Sequence, residues 1–271
     1  MEIKRLSASA FNTFKKCEFA YYVSYCLGMK QPPTLKTSIG TVVHAALEEW
    51  AKGNLNYVES LKIAYVENKI DEFPETTTKT FQLCVSLTER VLQRPVNPIT
   101  QYEIIGVEHE FNMVLSSVPV IGYIDLLQKT EDGIFVIRDW KTGSFIKSYE
   151  DVKDDFQTQL YDIAVNEVVD PGSDAIVVMD YIQSHPVTIA YTDGEREHNK
   201  NTILNTIKKI RSIKKPRRIP PCWVCDRMCI KRAVCDKLYA DAEKCDFNVD
   251  KMSELYNITK KESTNDQADP K

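Results

Sequence analysis

Two aspartates and a lysine stand at a spacing that suits chemistry on a phosphate ester. Asp125 closes the segment Gly122-Tyr-Ile-Asp125, and Asp139 and Lys141 flank Trp140. Carboxylates bind hard cations such as Mg²⁺ and Mn²⁺, which bind phosphate oxygens and lower the pKa of an attacking water. An ammonium group stabilises the charge that develops on phosphate. These residues, with the Trp140 carbonyl as a further ligand, therefore predict a cation site for phosphodiester hydrolysis. The alternative is a pair of surface charges on neighbouring strands.

The segments that carry these residues are expected to be strands. Alternating apolar and β-branched residues indicate strands at 103–114, 120–128 and 134–140, and Glu131-Asp132-Gly133 supplies a turn between the last two. Side chains two positions apart lie on the same face of a strand, so Asp139 and Lys141 are predicted to share one face. Two adjacent antiparallel strands would then each deliver a carboxylate.

The rest of the chain predicts a small mixed sheet flanked by helices. Helices are expected at 40–52, 57–73, 156–168 and 196–213, a first helix is expected to be capped by Ser9, and two more strands are expected at 175–183 and 187–191. This order indicates an α/β core. We expect one domain over 1–245, made of a helical part (1–100), an α/β core (101–215) and a cysteine-rich segment (216–245). The polar residues 246–271 predict a disordered tail.

Composition indicates an ordinary globular protein. The 271 residues have a net charge of −4, and the chain shows neither an apolar stretch long enough to span a membrane nor a signal sequence. We therefore expect a soluble, cytoplasmic protein without membrane association. Seven Lys and Arg residues fall between Lys208 and Arg218. Two interpretations stay open for this run, a solvated helix face and a strip that follows a phosphate backbone.

Half of the eight cysteines crowd into one short segment, at Cys222, Cys225, Cys229 and Cys235. Their close spacing is poor for disulfides and typical of a metal site. Zinc in a Cys₄ site and an iron–sulfur cluster both fit, and the spacing does not decide between them.

The motifs together resemble the RecB-like branch of the PD-(D/E)XK nucleases. The family's pattern is a helical His, then G-x-x-D, D/E-x-K with a following T/S-G, and Q-x-x-x-Y. The sequence has these in order, as His44, Gly122-Tyr-Ile-Asp125, Asp139-Trp-Lys141-Thr-Gly143 and Gln157-Thr-Gln-Leu-Tyr161. The resemblance implies a restriction-endonuclease-like fold and makes His44 a further metal ligand, with Gln157 and Tyr161 supporting the site and contacting DNA. Glu108 is an additional acidic candidate, and Glu110 competes with it.

The same resemblance extends to the cysteines. RecB-like nucleases, including CRISPR-associated exonucleases and AddB-type subunits, carry a [4Fe–4S] cluster on one N-terminal and three C-terminal cysteines, and Cys17 lies where the N-terminal ligand is expected. The usual ending, C-x₂-C-x₅-C, is not matched after Cys225. Either Cys17 joins three of the four clustered cysteines, which we favour, or those four bind the metal alone, with structural Zn²⁺ as the alternative ion.

The expected function is that of a Mg²⁺- or Mn²⁺-dependent deoxyribonuclease, an exonuclease in DNA recombination, repair or end processing. Its expected substrate is single-stranded DNA or a DNA end. A helicase or recombination protein is an expected partner, because the chain has no G-x-x-x-x-G-K-[ST] motif of its own and unwinding would have to come from another protein. Two alternatives compete with this function. One is a non-catalytic DNA- or protein-binding module with a nuclease-like fold, and the other is a zinc-ribbon interaction protein.

Overall fold

The computed structural model describes residues 1, 3–29 and 32–217. The described residues divide into two compact units, one within 1–31 and 205–217 and the other over 32–204. The cysteine-rich segment and the polar tail expected from the sequence lie outside the described residues. The single domain expected over 1–245 therefore stays a prediction. No helix in the described ranges has both the length and the apolar character needed to cross a membrane.

A five-stranded mixed sheet forms the centre of the second unit. Its strands are β1 (Glu103–Leu115), β2 (Val118–Lys129), β3 (Phe135–Lys141), β4 (Ala175–Tyr181) and β5 (Pro186–Ala190), and they lie side by side in chain order. The pairs β1–β2, β2–β3 and β4–β5 are antiparallel, whereas β3 and β4 are parallel. All five expected strands are present, and the expected α/β architecture with a mixed sheet is confirmed.

The parallel pairing of β3 and β4 requires a crossover, and helices supply it. Between these strands the chain forms α6 (Tyr149–Lys153) and α7 (Phe156–Ala164), and α7 continues into a π-helical turn, Val165–Val169. Asp155 caps α7 by accepting the Gln157 N–H at 2.9 Å. Every residue of α7 except Gln157 is buried, and the Gln157 side chain reaches Asp139 of β3.

Three helices pack beside the strands in the same unit, α3 (Leu35–Ala51), α4 (Tyr57–Glu67) and α5 (Lys79–Leu92). They share an apolar core with the sheet that includes Val43 and Leu47 of α3 and Leu126 of β2. Thr34 opens α3 with a reciprocal capping box. The helix expected over 57–73 ends at Glu67, because Lys69 adopts a left-handed φ of 51° and a short 3₁₀ turn, Ile70–Glu72, follows.

The described part of the first unit is helical. It contains α1 (Ala8–Lys16), α2 (Glu18–Tyr21), a π-helical turn (Tyr22–Cys26) and the last turns of α8 (Asp193–Ser212). The expected cap Ser9 is wrong. Ser7 has the extended backbone of an N-cap and accepts the Ala10 N–H, whereas Ser9 lies inside the helix, where its carbonyl accepts the Thr13 hydroxyl.

Candidate active site

Three side chains from three elements form a candidate cation site. His44 of α3, Glu108 of β1 and Asp125 of β2 place one ligand atom each within 4.8 Å of one another. His44 Nδ1 lies 3.3 Å from Asp125 Oδ2. One imidazole nitrogen with two carboxylate oxygens is a donor set that suits a divalent cation with some affinity for nitrogen, such as Mn²⁺. The residues present therefore fit the cation that the sequence predicts.

Helix α3 holds His44 over the end of β3. Buried Val43 and Leu47 fix the rotation of the helix. One turn before His44, a Cβ at Gly40 would lie 3.0 Å from Thr142 Oγ1, so glycine permits the close approach of α3 to the chain after β3. Burial lowers the pKa of His44, and the charge of Asp139 opposes that shift only in part. The imidazole is accordingly neutral at pH 7, with a lone pair for a cation.

Glu108 reaches the cluster through an unusual backbone conformation. It lies in β1 with a φ of 47°, in the left-handed region that residues with a Cβ rarely adopt. The pairing of β1 with β2 joins Val107 to Leu126 and His109 to Ile124, and Glu108 stands between these pairs. Such strain persists where surrounding structure imposes it, and it is common at functional sites. Glu110, the competing candidate, is exposed opposite Tyr123.

The ionised form of the Asp125 carboxylate is disfavoured by its surroundings. Its Oδ2 accepts the Trp140 backbone N–H at 2.7 Å, which orients the group. Burial and then the charge of Asp139 raise the pKa of Asp125 to about 8, whereas the Trp140 N–H lowers it. Burial, followed by the charges of Glu48 and Asp139, also raises the pKa of Glu108. A bound cation would offset this repulsion, which is the electrostatic signature of a metal site.

Asp139 belongs to a second, adjacent network around Lys141. Lys141 Nζ lies 2.6 Å from Asp139 Oδ2 and donates to Gln157 Oε1 at 3.0 Å. The two strand residues thus share one face, as their spacing predicts. Gln157 Nε2 donates to Asp139 Oδ1 at 2.8 Å. The amide therefore turns its acceptor to the ammonium and its donor to the carboxylate, and both polar ends of Gln157 are used.

Tyr161 completes this network one helical turn after Gln157. Its hydroxyl accepts from Gln157 Nε2 at 2.8 Å and lies 2.9 Å from Asp139 Oδ1 and 2.8 Å from the Tyr123 carbonyl. The Tyr161 hydroxyl has one proton, which it can donate either to Asp139 Oδ1 or to the Tyr123 carbonyl. The ring packs edge-on against Phe111, with centroids 6.1 Å apart. Tyr161 is thus both a core aromatic and a polar member of the site.

Gly122 makes room for that packing. It pairs with Phe111 across β1 and β2, and a Cβ at position 122 would lie 2.3 Å from the Phe111 ring. The glycine of the G-x-x-D segment therefore lets the ring lie across the strand, where it supports Tyr161. Gly122 thus supports the site through Phe111 and Tyr161.

Lys141 keeps its charge in this setting. Burial favours a lower pKa, but the Asp139 carboxylate and then Asp125 outweigh it, so the pKa of Lys141 is raised. The side chain is 34% exposed, so part of it reaches the surface. A fixed positive charge beside a candidate cation site can stabilise an anionic transition state.

Glu48 is a site residue that sequence analysis missed. It follows His44 by one helical turn and lines the same cleft as Glu108 and Asp125. Lys52, one further turn along α3, forms an ion pair with it. The i, i+4 spacing from His44 was the available signal, although a glutamate at that spacing is ordinary on exposed helices.

The other residues predicted as metal or cluster ligands lie outside the His44–Glu108–Asp125 group. Trp140 is buried in the apolar core shared by the helices and the sheet. Its carbonyl and the Asp139 carboxylate stay predicted cation ligands, and neither residue belongs to the His44–Glu108–Asp125 group. Cys17 is half-buried at the start of α2, where its Sγ accepts the Ala20 N–H at 3.4 Å. The other four predicted cluster ligands, Cys222, Cys225, Cys229 and Cys235, and Arg218 of the basic run lie outside the described residues.

Comparisons with known proteins agree with this architecture. The crystal structure of a "Putative exonuclease" from Eubacterium rectale is similar, with a TM-score of 0.56 and 15% identity over 84% of this chain and 89% of that chain, which indicates a shared fold. The crystal structure of SSO0001 aligns with a TM-score of 0.34 and 15% identity over 83% of this chain and 95% of that chain. No curated protein matched. The family model described as the PD-(D/E)XK nuclease superfamily matches residues 5–236, and the chain belongs to that superfamily.

Proposed function

We propose that this nuclease is a Mg²⁺- or Mn²⁺-dependent deoxyribonuclease that hydrolyses phosphodiester bonds. One observation carries the proposal, namely that the His44–Glu108–Asp125 cluster stands beside the charged Lys141. Asp125 links the two groups, because the Trp140 N–H that it binds belongs to the residue between Asp139 and Lys141. A cation ligand set and a fixed positive charge can each assist the attack of water on a phosphodiester.

His44, Glu108 and Asp125 would hold the cation, with Asp139 as a proposed further ligand. When bound, a divalent cation supplies a binding site for a phosphate oxygen and a lower pKa for the attacking water. The neutral imidazole of His44 favours an ion that accepts nitrogen as well as oxygen. We therefore expect Mn²⁺ to bind more tightly than Mg²⁺.

The chain's own charges act on the substrate through Lys141. Asp139 and Gln157 hold its ammonium group in one place, so little reorganisation is needed when negative charge develops on the phosphate. Tyr161 and Gln157 fix the Asp139 carboxylate in turn. Gln157 and Tyr161 are thus proposed as positioning residues, and contact of Gln157 with DNA is part of the same proposal.

The finer assignment is an exonuclease that acts on single-stranded DNA or on DNA ends in recombination, repair or end processing. Its support is the RecB-like order of motifs, together with the similar structure, whose printed name is that of an exonuclease. A helicase or recombination protein as partner and a cytoplasmic location belong to this proposal. So does a [4Fe–4S] cluster on Cys17 and three of the clustered cysteines, with Zn²⁺ as the alternative.

A cleavage assay on end-labelled linear DNA and closed circular DNA tests the proposal. We expect degradation of the linear substrate with Mn²⁺ or Mg²⁺, no degradation in excess chelator, and survival of the circle. Degradation of the circle would indicate an endonuclease instead. His44→Ala should lose Mn²⁺ binding and cleavage together, whereas His198→Ala, a change at an exposed histidine outside the cluster, should lose neither. Undiminished cleavage in chelator would contradict the metal mechanism.

A further inference from the structure

The two units carry opposite charge. Residues 32–204 contain 14 Lys and Arg against 27 Asp and Glu, a net charge of −13. Residues 1–31 and 205–217 contain 11 Lys and Arg against two acidic residues, Glu2 and Glu18, a net charge of +9. Residues 218–271 are balanced, with ten of each sign, so the total agrees with the chain's net charge of −4. The small net charge of the whole chain is therefore the sum of a strongly basic unit and a strongly acidic unit.

The single described carboxylate of the basic unit is used internally. Glu18 is buried, accepts the Arg217 backbone N–H at 3.1 Å and lies 3.3 Å from Lys209 Nζ. Burial raises the pKa of Glu18, but the Arg217 N–H and Lys209 outweigh that effect and lower it, so the group is ionised. Its charge offsets those of Lys209 and Arg217, and the described part of the basic unit contains no other carboxylate.

Hydrogen bonds to backbone carbonyls join the N-terminal part of this unit to the end of α8 and to the residues that follow it. The Met1 ammonium group donates to the Arg211 carbonyl at 3.0 Å and to the Ile213 carbonyl at 3.2 Å. The Phe19 N–H donates to the Arg217 carbonyl at 3.1 Å. These contacts bring cations from both ends of this part of the chain into one compact body. The Lys and Arg residues of this unit that have exposed side chains are Lys4, Arg5, Lys15, Lys16, Lys208, Lys209, Arg211, Lys214, Lys215 and Arg217.

We propose that this basic unit holds the phosphate backbone of the nucleic acid, while the acidic unit, with the His44–Glu108–Asp125 cluster, carries out the cleavage. The inference deepens the proposed function and rests on it. A unit with a net charge of −13 repels a polyanion, so affinity has to come from elsewhere in the chain. Exposed Lys and Arg residues supply it by displacing the counterions of the phosphates. Of the two interpretations of the basic run after Lys208, this one is favoured.

A charge-neutralised variant of the full chain tests the proposal. The variant combines Lys208→Gln, Lys214→Gln and Lys215→Gln, which spare Lys209 and Arg217 because those residues hold Glu18. The control combines Lys62→Gln, Lys69→Gln and Lys79→Gln, three exposed lysines of the acidic unit. Both variants change the net charge equally. Binding to a fluorescent DNA duplex is measured in chelator over a series of salt concentrations, so that the result does not depend on cleavage.

The first variant should lose on the order of tenfold or more in affinity at low salt, and the slope of log affinity against log salt should fall by about 2 to 3. The control should bind as the unaltered protein does. Equal losses in both variants, or no loss in the first, would overturn the proposal. The proposal would also be overturned if the first variant bound DNA normally but no longer bound anionic phospholipid vesicles. The basic unit would then bind a membrane surface. A protein that binds DNA in this manner but cuts none contradicts the proposed function, whereas the assignment of backbone binding to the basic unit would still hold.

Discussion

At the scale of single residues, Lys141 and the candidate cation cluster are proposed to act on the same phosphate through separable interactions. Lys141 is held by Asp139 and Gln157, whereas the cluster draws on His44, Glu108 and Asp125. Removing the ammonium should therefore affect the transition state and leave the cation ligands in place. Binding of DNA depends on many phosphate contacts, of which Lys141 is at most one.

Lys141→Ala should lower the cleavage rate about 100- to 1000-fold, because the loss of one preorganised charge costs roughly that much in the transition state. Mn²⁺ affinity, measured by calorimetry, and DNA affinity should change little. Lys129→Ala is the matched control, since Lys129 is also a strand lysine paired with an aspartate, Asp170, but lies outside the network. If the Lys141 variant is folded and cuts at the unaltered rate, the network is not catalytic.

At the scale of secondary-structure elements, the distorted part of β1 determines which glutamate reaches the cation site. The left-handed φ of Glu108 places its carboxylate with His44 and Asp125. Left-handed backbone costs a residue with a Cβ about 1–2 kcal/mol, and glycine escapes that cost. We therefore expect the strand to lose some stability at the position of this proposed ligand.

Two substitutions separate the strain from the ligand. Glu108→Gly and Glu108→Ala both remove the carboxylate and should weaken Mn²⁺ binding to the same extent. The glycine variant should nevertheless be more stable than the alanine variant, by about 1 kcal/mol in denaturant unfolding without metal. Glu110→Ala should bind Mn²⁺ normally. Equal stability of the two position-108 variants would show that the left-handed backbone stores no strain.

Sequence analysis predicted most of this site, and its one open choice has a physical cause. The shared face of Asp139 and Lys141 follows from the period of a strand, and His44, Gln157 and Tyr161 are implied by the resemblance to RecB-like nucleases. Glu108 and Glu110 are two positions apart, so in a regular strand both would share a face and periodicity cannot separate them. The conformation at Glu108 breaks that regularity. It is accompanied by the tight approach of Gly106 to the His109 ring, a tertiary fit that periodicity does not encode.

At the scale of the whole molecule, the proposed metal centre at Cys17 would join distant parts of the chain. Cys17 begins α2, and its sulfur accepts the Ala20 N–H. Serine can accept the same hydrogen bond but is a poor ligand for iron or zinc, so Cys17→Ser removes the metal role and keeps the helix cap. Replacement by serine therefore tests the metal role alone, whereas replacement by alanine would also remove the helix cap.

Cys17→Ser should lose bound iron or zinc and lower the melting temperature, because a structural metal contributes free energy of folding. Cys84→Ser, a change at a buried cysteine of α5, should keep its full metal content. Elemental analysis and visible absorption of protein purified without oxygen give the measurement, with a brown colour for an iron–sulfur cluster and none for zinc. Full metal content in the Cys17 variant would leave the four clustered cysteines as the ligands.

The origin of each site residue along the chain has an evolutionary consequence. Glu108, Asp125, Asp139, Lys141 and the α7 residues come from one continuous stretch, 108–161, whereas the ligand nitrogen of His44 comes from α3, which precedes it. We therefore expect substitutions in α3 that alter the ligand nitrogen to change which metal the site prefers. Substitutions at Gln157 or Tyr161 of α7 act instead through Asp139, which belongs to the charged network and is also a proposed cation ligand. Metal preference is thus open to change through α3 alone, whereas changes in α7 affect transition-state stabilisation and cation binding together.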